Sequence, residues 1–213
     1  MINISNIPFP ASVPIVVFIV LIIYFKINKS NRVKGKMEKY IEREASIDFF
    51  HFKELPKEVF LFADKKIFDI EVNFDNKAQE ISFKNIKENL RVLSEDTMLR
   101  LDKQYTNLEI KEIYGVRNLE AIINGESNLS RYIIQLNSMA ELLLKNEEYI
   151  YFEAILLEAI RMKSDISKTY ILLLDYYKTF NKSKYRKFKL DIENNQVVLN
   201  NKYLKKKLLE GEI

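Results

Sequence analysis

Side chains able to do covalent chemistry are scarce in this chain. His51 is its one histidine, and cysteine is absent. The imidazole sits in Phe49-Phe50-His51-Phe52, outside any carboxylate-rich metal-ligand spacing, so neither a metal centre nor a base-activated nucleophile is expected. A glycine-rich phosphate loop, a Gly-x-Ser-x-Gly elbow and a paired acidic metal motif are all missing. The acidic residues are dispersed beside lysines, as solvated ion pairs are. The chain therefore reads as non-enzymatic, with no cofactor, no metal and no small-molecule substrate.

What remains is ionic chemistry. Lys26, Lys29, Arg32, Lys34 and Lys36 follow one another without an intervening acid, and these five exceed the whole formal net charge of +4. Such a run suits anionic headgroups, worth about 1 kcal/mol per residue near the surface, although fixing topology is its simpler role. Immediately before it, residues 15–25 carry no charge. With the neighbouring uncharged residues the segment reaches about 17 residues, roughly 25 Å of helix, enough for a short span in which Lys26 snorkels outward. Pro8, Pro10 and Pro14 mark the helix start, where a missing N–H costs little. A cleaved signal would need a basic stretch before the core and a small-residue site after it, and neither is present. The positive-inside bias then predicts a single-pass cell-membrane protein with a short N-terminus outside and the C-terminal domain in the cytoplasm.

The remaining residues are enough for one domain with a real core or two small ones. Their charges nearly cancel, so no electrostatic footprint argues for nucleic acid. Four glycines and four prolines in 213 residues predict a helix-rich body with few tight turns. The absence of cysteine fits a reducing compartment.

Four segments follow: the anchor at residues 1–28, a basic juxtamembrane helix and Phe-rich connector at 29–62, a helical intermediate region at 63–131, and helical repeats at 132–213. Val33, Met37, Tyr40, Ile41 and Ala45 fall at helical spacing over residues 31–47. Phe49, Phe50, Phe52, Phe60 and Phe62 crowd around Leu55-Pro56 and are expected to pack within the chain, on the helical body, with packing on a partner as the alternative. Ile70, Val72 and Phe74 alternate before Asp75-Asn76-Lys77, which predicts a small β-hairpin near residues 69–84 or, alternatively, an extended linker into a helix over 83–101. Residues 106–124 read as two short helices, capped by Thr106 or Asn107 and broken at Gly115. They superficially resemble a helix-turn-helix, but only Arg117 and Asn118 stand near the second helix start, and a structural hairpin is the expectation.

From Tyr132 the apolar pattern becomes regular. Leu136 to Tyr170 and Leu143 to Tyr177 are both steps of 34, the period of paired helices in tetratricopeptide repeats. Leu142-Leu-Leu-Lys-Asn-Glu-Glu-Tyr149 and Glu153-Ala-Ile-Leu-Leu-Glu-Ala159 resemble the end of one repeat's helix A and the body of its helix B. Residues 163–170 are similar to the turn into the next repeat, with Asp165 or Ser167 available as cap. The resemblance covers about residues 133–200; the second helix B keeps Tyr185, Phe188 and Ile192 but no Ala. The helix at 119–124 and a C-terminal helix at 197–209 would cap the stack. Residue usage heavy in Lys, Asn and Ile resembles that of small membrane-anchored repeat proteins of low-GC Gram-positive bacteria.

The predicted fold class is mainly α: a transmembrane helix, then a helical domain ending in a short tetratricopeptide-like solenoid. The resemblance implies a protein partner received on the helix-A face. Asn137, Glu141 and Lys145 would lie there in the first repeat, and Lys168, Asp175 and Lys178 in the second. The expected function is a membrane-anchored scaffold or adaptor. The alternative is a non-enzymatic regulatory or structural subunit packing laterally against another membrane protein. No nucleic acid is expected.

Overall fold

The computed structural model describes residues 12–48 and 50–209; within the first helix, side chains of residues 12–20, 22, 23, 27 and 30–32 stand outside that description. The chain is mainly helical and divides into two units at residue 49.

In the first unit, α1 spans Ser12–Ala45 without interruption, 34 residues or about 50 Å. The anchor and the juxtamembrane helix are thus one element rather than two meeting near residue 28. Gly35 does not break it and has nothing near its Cα on which a side chain would press. Lys26, Lys29, Lys34 and Lys36 are exposed, as are Val33, Met37, Tyr40 and Ile41. Among the described residues no helix is long and apolar enough to cross a membrane. Most of the apolar run at 15–25, on which the predicted anchor rests, lies outside the residues whose side chains are described, as does Arg32.

The second unit is built on a long central helix. Residues 57–59 make one 3-10 turn, then come β1 (Phe60–Leu61), a second 3-10 turn over Lys65–Asp69, α2 (Lys77–Glu95), β2 (Met98–Leu99), α3 (Asn107–Tyr114) and α4 (Val116–Lys145). Thr106 caps α3 in a reciprocal box: Glu109 N–H donates to Thr106 Oγ1, and Thr106 N–H donates to Glu109 Oε2. Helix α4 runs straight through residue 131, where the sequence placed a boundary. Its buried positions Ile122, Leu129, Tyr132, Ile133, Leu136, Met139, Ala140 and Leu143 form one stripe at helical spacing, against which α2, α3, β2 and α5 (Tyr149–Arg161) pack. Each fully buried large side chain is worth about 1.5–3 kcal/mol of transfer free energy, so the stripe favours continuity.

The predicted hairpin at 69–84 does not form. Asn76, read as a turn residue, is the N-cap of α2, its Oδ1 accepting from Ala78 N–H at 2.8 Å. The alternating segment before it stays extended but has no strand partner. Its carbonyls are met by side chains instead: Lys87 Nζ donates to Ile70 O at 2.8 Å and Asn146 Nδ2 to Asn73 O at 3.0 Å. Phe74 packs on Phe83 of α2, ring centroids 5.1 Å apart. The sheet that does form is β1 against β2, antiparallel, with Phe60 opposite Leu99 and Leu61 opposite Met98. That pairing also ends α2 at Glu95, short of the expected Leu101.

Beyond α5 come α6 (Ser167–Phe180), α7 (Lys182–Glu193), α8 (Gln196–Asn200) and α9 (Lys202–Leu209). The residues that set the 34-residue step, Leu136 with Tyr170 and Leu143 with Tyr177, are all buried. The C-terminal helix expected over 197–209 is two helices, because Asn201 Oδ1 accepts from Tyr203 and Leu204 N–H and so starts α9 afresh. Neither Asp165 nor Ser167 caps α6; Asp165 is instead paired with Arg100 at 2.9 Å.

Candidate functional site

His51 is a structural residue. Its Nε2 donates to Ile113 O at 3.1 Å, a role fixed by the carbonyl, which can only accept. Two residues on, Lys53 N–H donates to Tyr114 O at 3.1 Å. Asn118 Nδ2 closes the joint by donating to both Lys53 O (2.8 Å) and Tyr114 O (2.7 Å). Asn118, one of the two residues near the helix-turn-helix-like start, is thus buried under this strap and spent on it. Gly115 permits the approach: its φ is +92°, and a Cβ there would stand 2.1 Å from His51 O.

A second fastening holds β1. Glu158 is buried on α5, and its Oε1 accepts from Asp64 N–H at 3.0 Å and from Arg161 Nη2 at 2.6 Å. Arg161 Nη2 also donates to Phe62 O at 2.6 Å. The Glu158 hydrogen bond is the main cause of a raised Arg161 pKa, which outweighs partial burial. In sequence this i,i+3 pair looks like any surface salt bridge; its tertiary role depends on one carbonyl 99 residues away, Phe62 O, and one amide 94 residues away, Asp64 N–H.

Strap and sheet together frame a cleft of about 610 Å³, within the size range of ligand sites. Leu55, Phe60 and Leu99 give it an apolar floor, and Phe52 stands at its edge, 56% exposed. Gly125 lets Leu99 lie flat on α4, since a Cβ there would be 2.7 Å from Leu99 Cγ. The rim is polar: Glu54 and Lys57 on the strap side, Thr97, Asn124 and Asn128 on the helix side. Asn128 is held by donating to Thr97 O at 3.2 Å and accepting from Arg131 at 2.7 Å, whereas Asn124 is exposed. These groups can seat an apolar side chain and hydrogen-bond a peptide backbone. The expectation that the phenylalanines pack within the chain is corrected for Phe50, Phe52 and Phe62, while Phe49 lies outside the described residues. Val59 enters the core and Phe60 is half-buried, but Phe50, Phe52 and Phe62 face outward, because the segment is fixed through its backbone carbonyls and amides.

The residues predicted to meet a partner are not one open face. Asn137 is 4% exposed, its amide donating to Ile133 O and to Thr169 Oγ1 of α6. Counting along an isolated helix puts it outward, but α6 covers that side of α4, so Asn137 is not available as a contact residue. Glu141 and Lys168 neutralise each other at 2.6 Å across the same seam. Lys145, Asp175 and Lys178 are exposed. Nearby, Tyr170 donates to Ser164 O at 2.7 Å, and burial, aided by Asp165, pushes its phenol up to about 12. Glu153 of α5 accepts from Tyr177 (2.6 Å) and Lys184 (2.5 Å); burial alone would raise its pKa, but these two bonds hold it below the ordinary carboxylate value.

The cleft escaped sequence reading because its walls come from residues 52–60, 97–99 and 118–128. The one local signal was the Phe-rich stretch around Leu55-Pro56. Among the described residues no group of His, Cys, Asp or Glu is placed to hold a metal ion. Comparison of the chain with protein-family models, with curated proteins and with solved structures gave no match.

Proposed function

We propose that this chain is a membrane-anchored scaffold or adaptor, tethered by the apolar run at 15–25 with its basic flank, whose tetratricopeptide-like helical body holds a protein partner beside the bilayer. The observation that carries the reading is the cleft: an apolar floor of Leu55, Phe60 and Leu99 under a rim of amide side chains suits one extended segment of a partner protein. The 34-residue step and the paired helices from α4 onward support a repeat-like body. A photoreactive phenylalanine analogue at Phe52 or Asn124 in the full chain should crosslink one same protein in intact cells, while the analogue at Ile134 should not. Equal capture from all three positions, or from none, removes the cleft as the contact.

A lateral membrane subunit is the second reading, and the stripe Val33, Met37, Tyr40 and Ile41 favours it, since all four are exposed along one face of α1. Starting the chain at Phe50, which removes α1 and its stripe, separates the two. An adaptor carries its partner into the soluble fraction, whereas a lateral subunit loses its partner along with the anchor.

A further inference from the structure

The near balance of charge in the body hides a strong polarity. Residues 182–207 hold nine basic and two acidic side chains, more positive excess than the +4 of the entire chain. Helix α2 pairs two of its cations with an acid, Glu80 with Lys84 and Glu88 with Arg91. In α7, Asp191 and Glu193 stand four residues after Lys187 and Lys189, but like charges also adjoin: Lys182 and Arg186 are four apart, and Arg186 and Lys189 three apart. Lys202 and Lys205 repeat this in α9. Like charges at these spacings destabilise a helix, so the pattern does nothing for the fold. Lys184 is the exception, turned inward to Glu153.

Apolar groups stand among these cations. With Phe188 and Ile192 buried, the helical count puts Leu190 near the outward meridian of α7 with Arg186, and Leu190 is 58% exposed. In α9 Leu204 and Leu208 face the body, while Tyr203 is 63% exposed. Basic helices that carry an outward leucine, in α7, and an outward tyrosine, in α9, have the composition of surfaces that lie in the headgroup region, lysines to phosphate and apolar side chains to the acyl boundary. A nucleic-acid face would have no use for Leu190.

We propose that this C-terminal end, α7 with α9, is a second membrane contact that binds anionic lipid. It goes beyond the tether: the anchor would place the body at a bilayer, and this face would select one with acidic headgroups.

Lysine acetylation footprinting tests this on the unaltered full chain. The chain is placed in phosphatidylcholine nanodiscs and in discs with about a third phosphatidylserine; preformed vesicles of both compositions receive the same protein. A chain that enters no disc defeats the anchor reading, and the vesicles still read the proposal. Lys182, Lys187, Lys189, Lys202 and Lys205 should react at least about threefold more slowly with anionic lipid than with neutral lipid, relative to Lys103 and Lys145. About 1 M salt, which shortens the Debye length to about 3 Å, should restore them. Equal rates in both lipids overturn the proposal. So does protection by a single-stranded oligonucleotide where anionic lipid gives none, which would assign the face to nucleic acid.

Discussion

Asn137 and Thr169, 32 residues apart, exchange two hydrogen bonds in the core: Asn137 Nδ2 donates to Thr169 Oγ1 at 3.0 Å, and the hydroxyl donates back to Asn137 Oδ1 at 3.1 Å. The second lone pair of Oγ1 is met by Ser164 Oγ at 2.8 Å, and the remaining amide proton goes to Ile133 O. Every polar atom of the group is satisfied out of water, so the arrangement fixes the register of α6 against α4 more sharply than apolar contact would.

The two side chains are therefore expected to contribute to stability as a unit. Thr169→Val should destabilise by about 1–3 kcal/mol, because the Asn137 amide and Ser164 hydroxyl lose their partner in a buried site. Asn137→Leu combined with Thr169→Val should cost less than the sum of the single changes. Urea unfolding of the four proteins measures this, and strictly additive losses would show that the two side chains do not act as a unit.

Gly115→Ala should be the most damaging small substitution. At φ +92° any side chain is strained, and the added methyl meets a backbone oxygen, His51 O, which has little room to give. A loss of about 2 kcal/mol or more is expected, with faster hydrogen exchange at the Lys53 amide as the strap lifts. Gly125→Ala meets the Leu99 side chain, whose Cγ would stand 2.7 Å away, and should leave the Lys53 amide protected. Equal exchange at Lys53 in the two variants would show that the strap is not held at Gly115.

Two helix ends are closed by residues poorly suited to the job. After α4, Glu147 N–H bonds Leu144 O and Glu148 N–H bonds Leu143 O; after α5, Lys163 N–H bonds Ile160 O and Ser164 N–H bonds Ala159 O. Both are left-handed C-terminal closures, with Glu147 at φ 60° and Lys163 at φ 56°, positions glycine fills at no steric cost. Glu147→Gly should raise stability by about 0.5–1 kcal/mol, read as an upward shift in Tm. Lys163→Gly should gain less, since Lys163 Nζ also reaches Glu58 O at 3.4 Å. A drop in Tm for Glu147→Gly would mean that its side chain contributes more than the backbone strain costs.

The periodic part of the fold was legible because burial enforces it: Leu136, Leu143, Tyr170 and Tyr177 are large, apolar or amphipathic, and recur at a fixed step. Thr106 and Gly115 were legible because capping and left-handed closure are local chemistry. Asn76 was not, since an asparagine before a lysine serves a hairpin turn and a helix cap equally well, and only Ala78 N–H decides. The scarcity of glycine concealed the closures at Glu147 and Lys163. Asn137 misled for a related reason. A polar residue on a helix reads as solvent-facing unless its partner is known, and Thr169 stands 32 residues away in the first turn of α6.

The tie between α5 and the last helices should be visible as a pH dependence. Hydrogen bonds from Lys184 and Tyr177 hold the Glu153 carboxyl below its ordinary value against the opposing effect of burial. A depressed folded-state pKa contributes stability that is present above the unfolded value, about 4.3, and is lost as pH falls through the folded value. Tyr177 works in the opposite sense: burial, with the Glu153 bond adding to it, raises its phenol, so its contribution is full below about 10 and is lost as pH rises beyond that. Glu153→Gln should flatten the acid limb of the stability curve and reduce the alkaline loss attributable to Tyr177, because one carboxylate serves both. Urea midpoints measured across the two limbs check this. An acid limb unchanged in Glu153→Gln would place the acid sensitivity on other carboxylates and leave the Glu153, Tyr177 and Lys184 contacts without a share in holding α7 to the body.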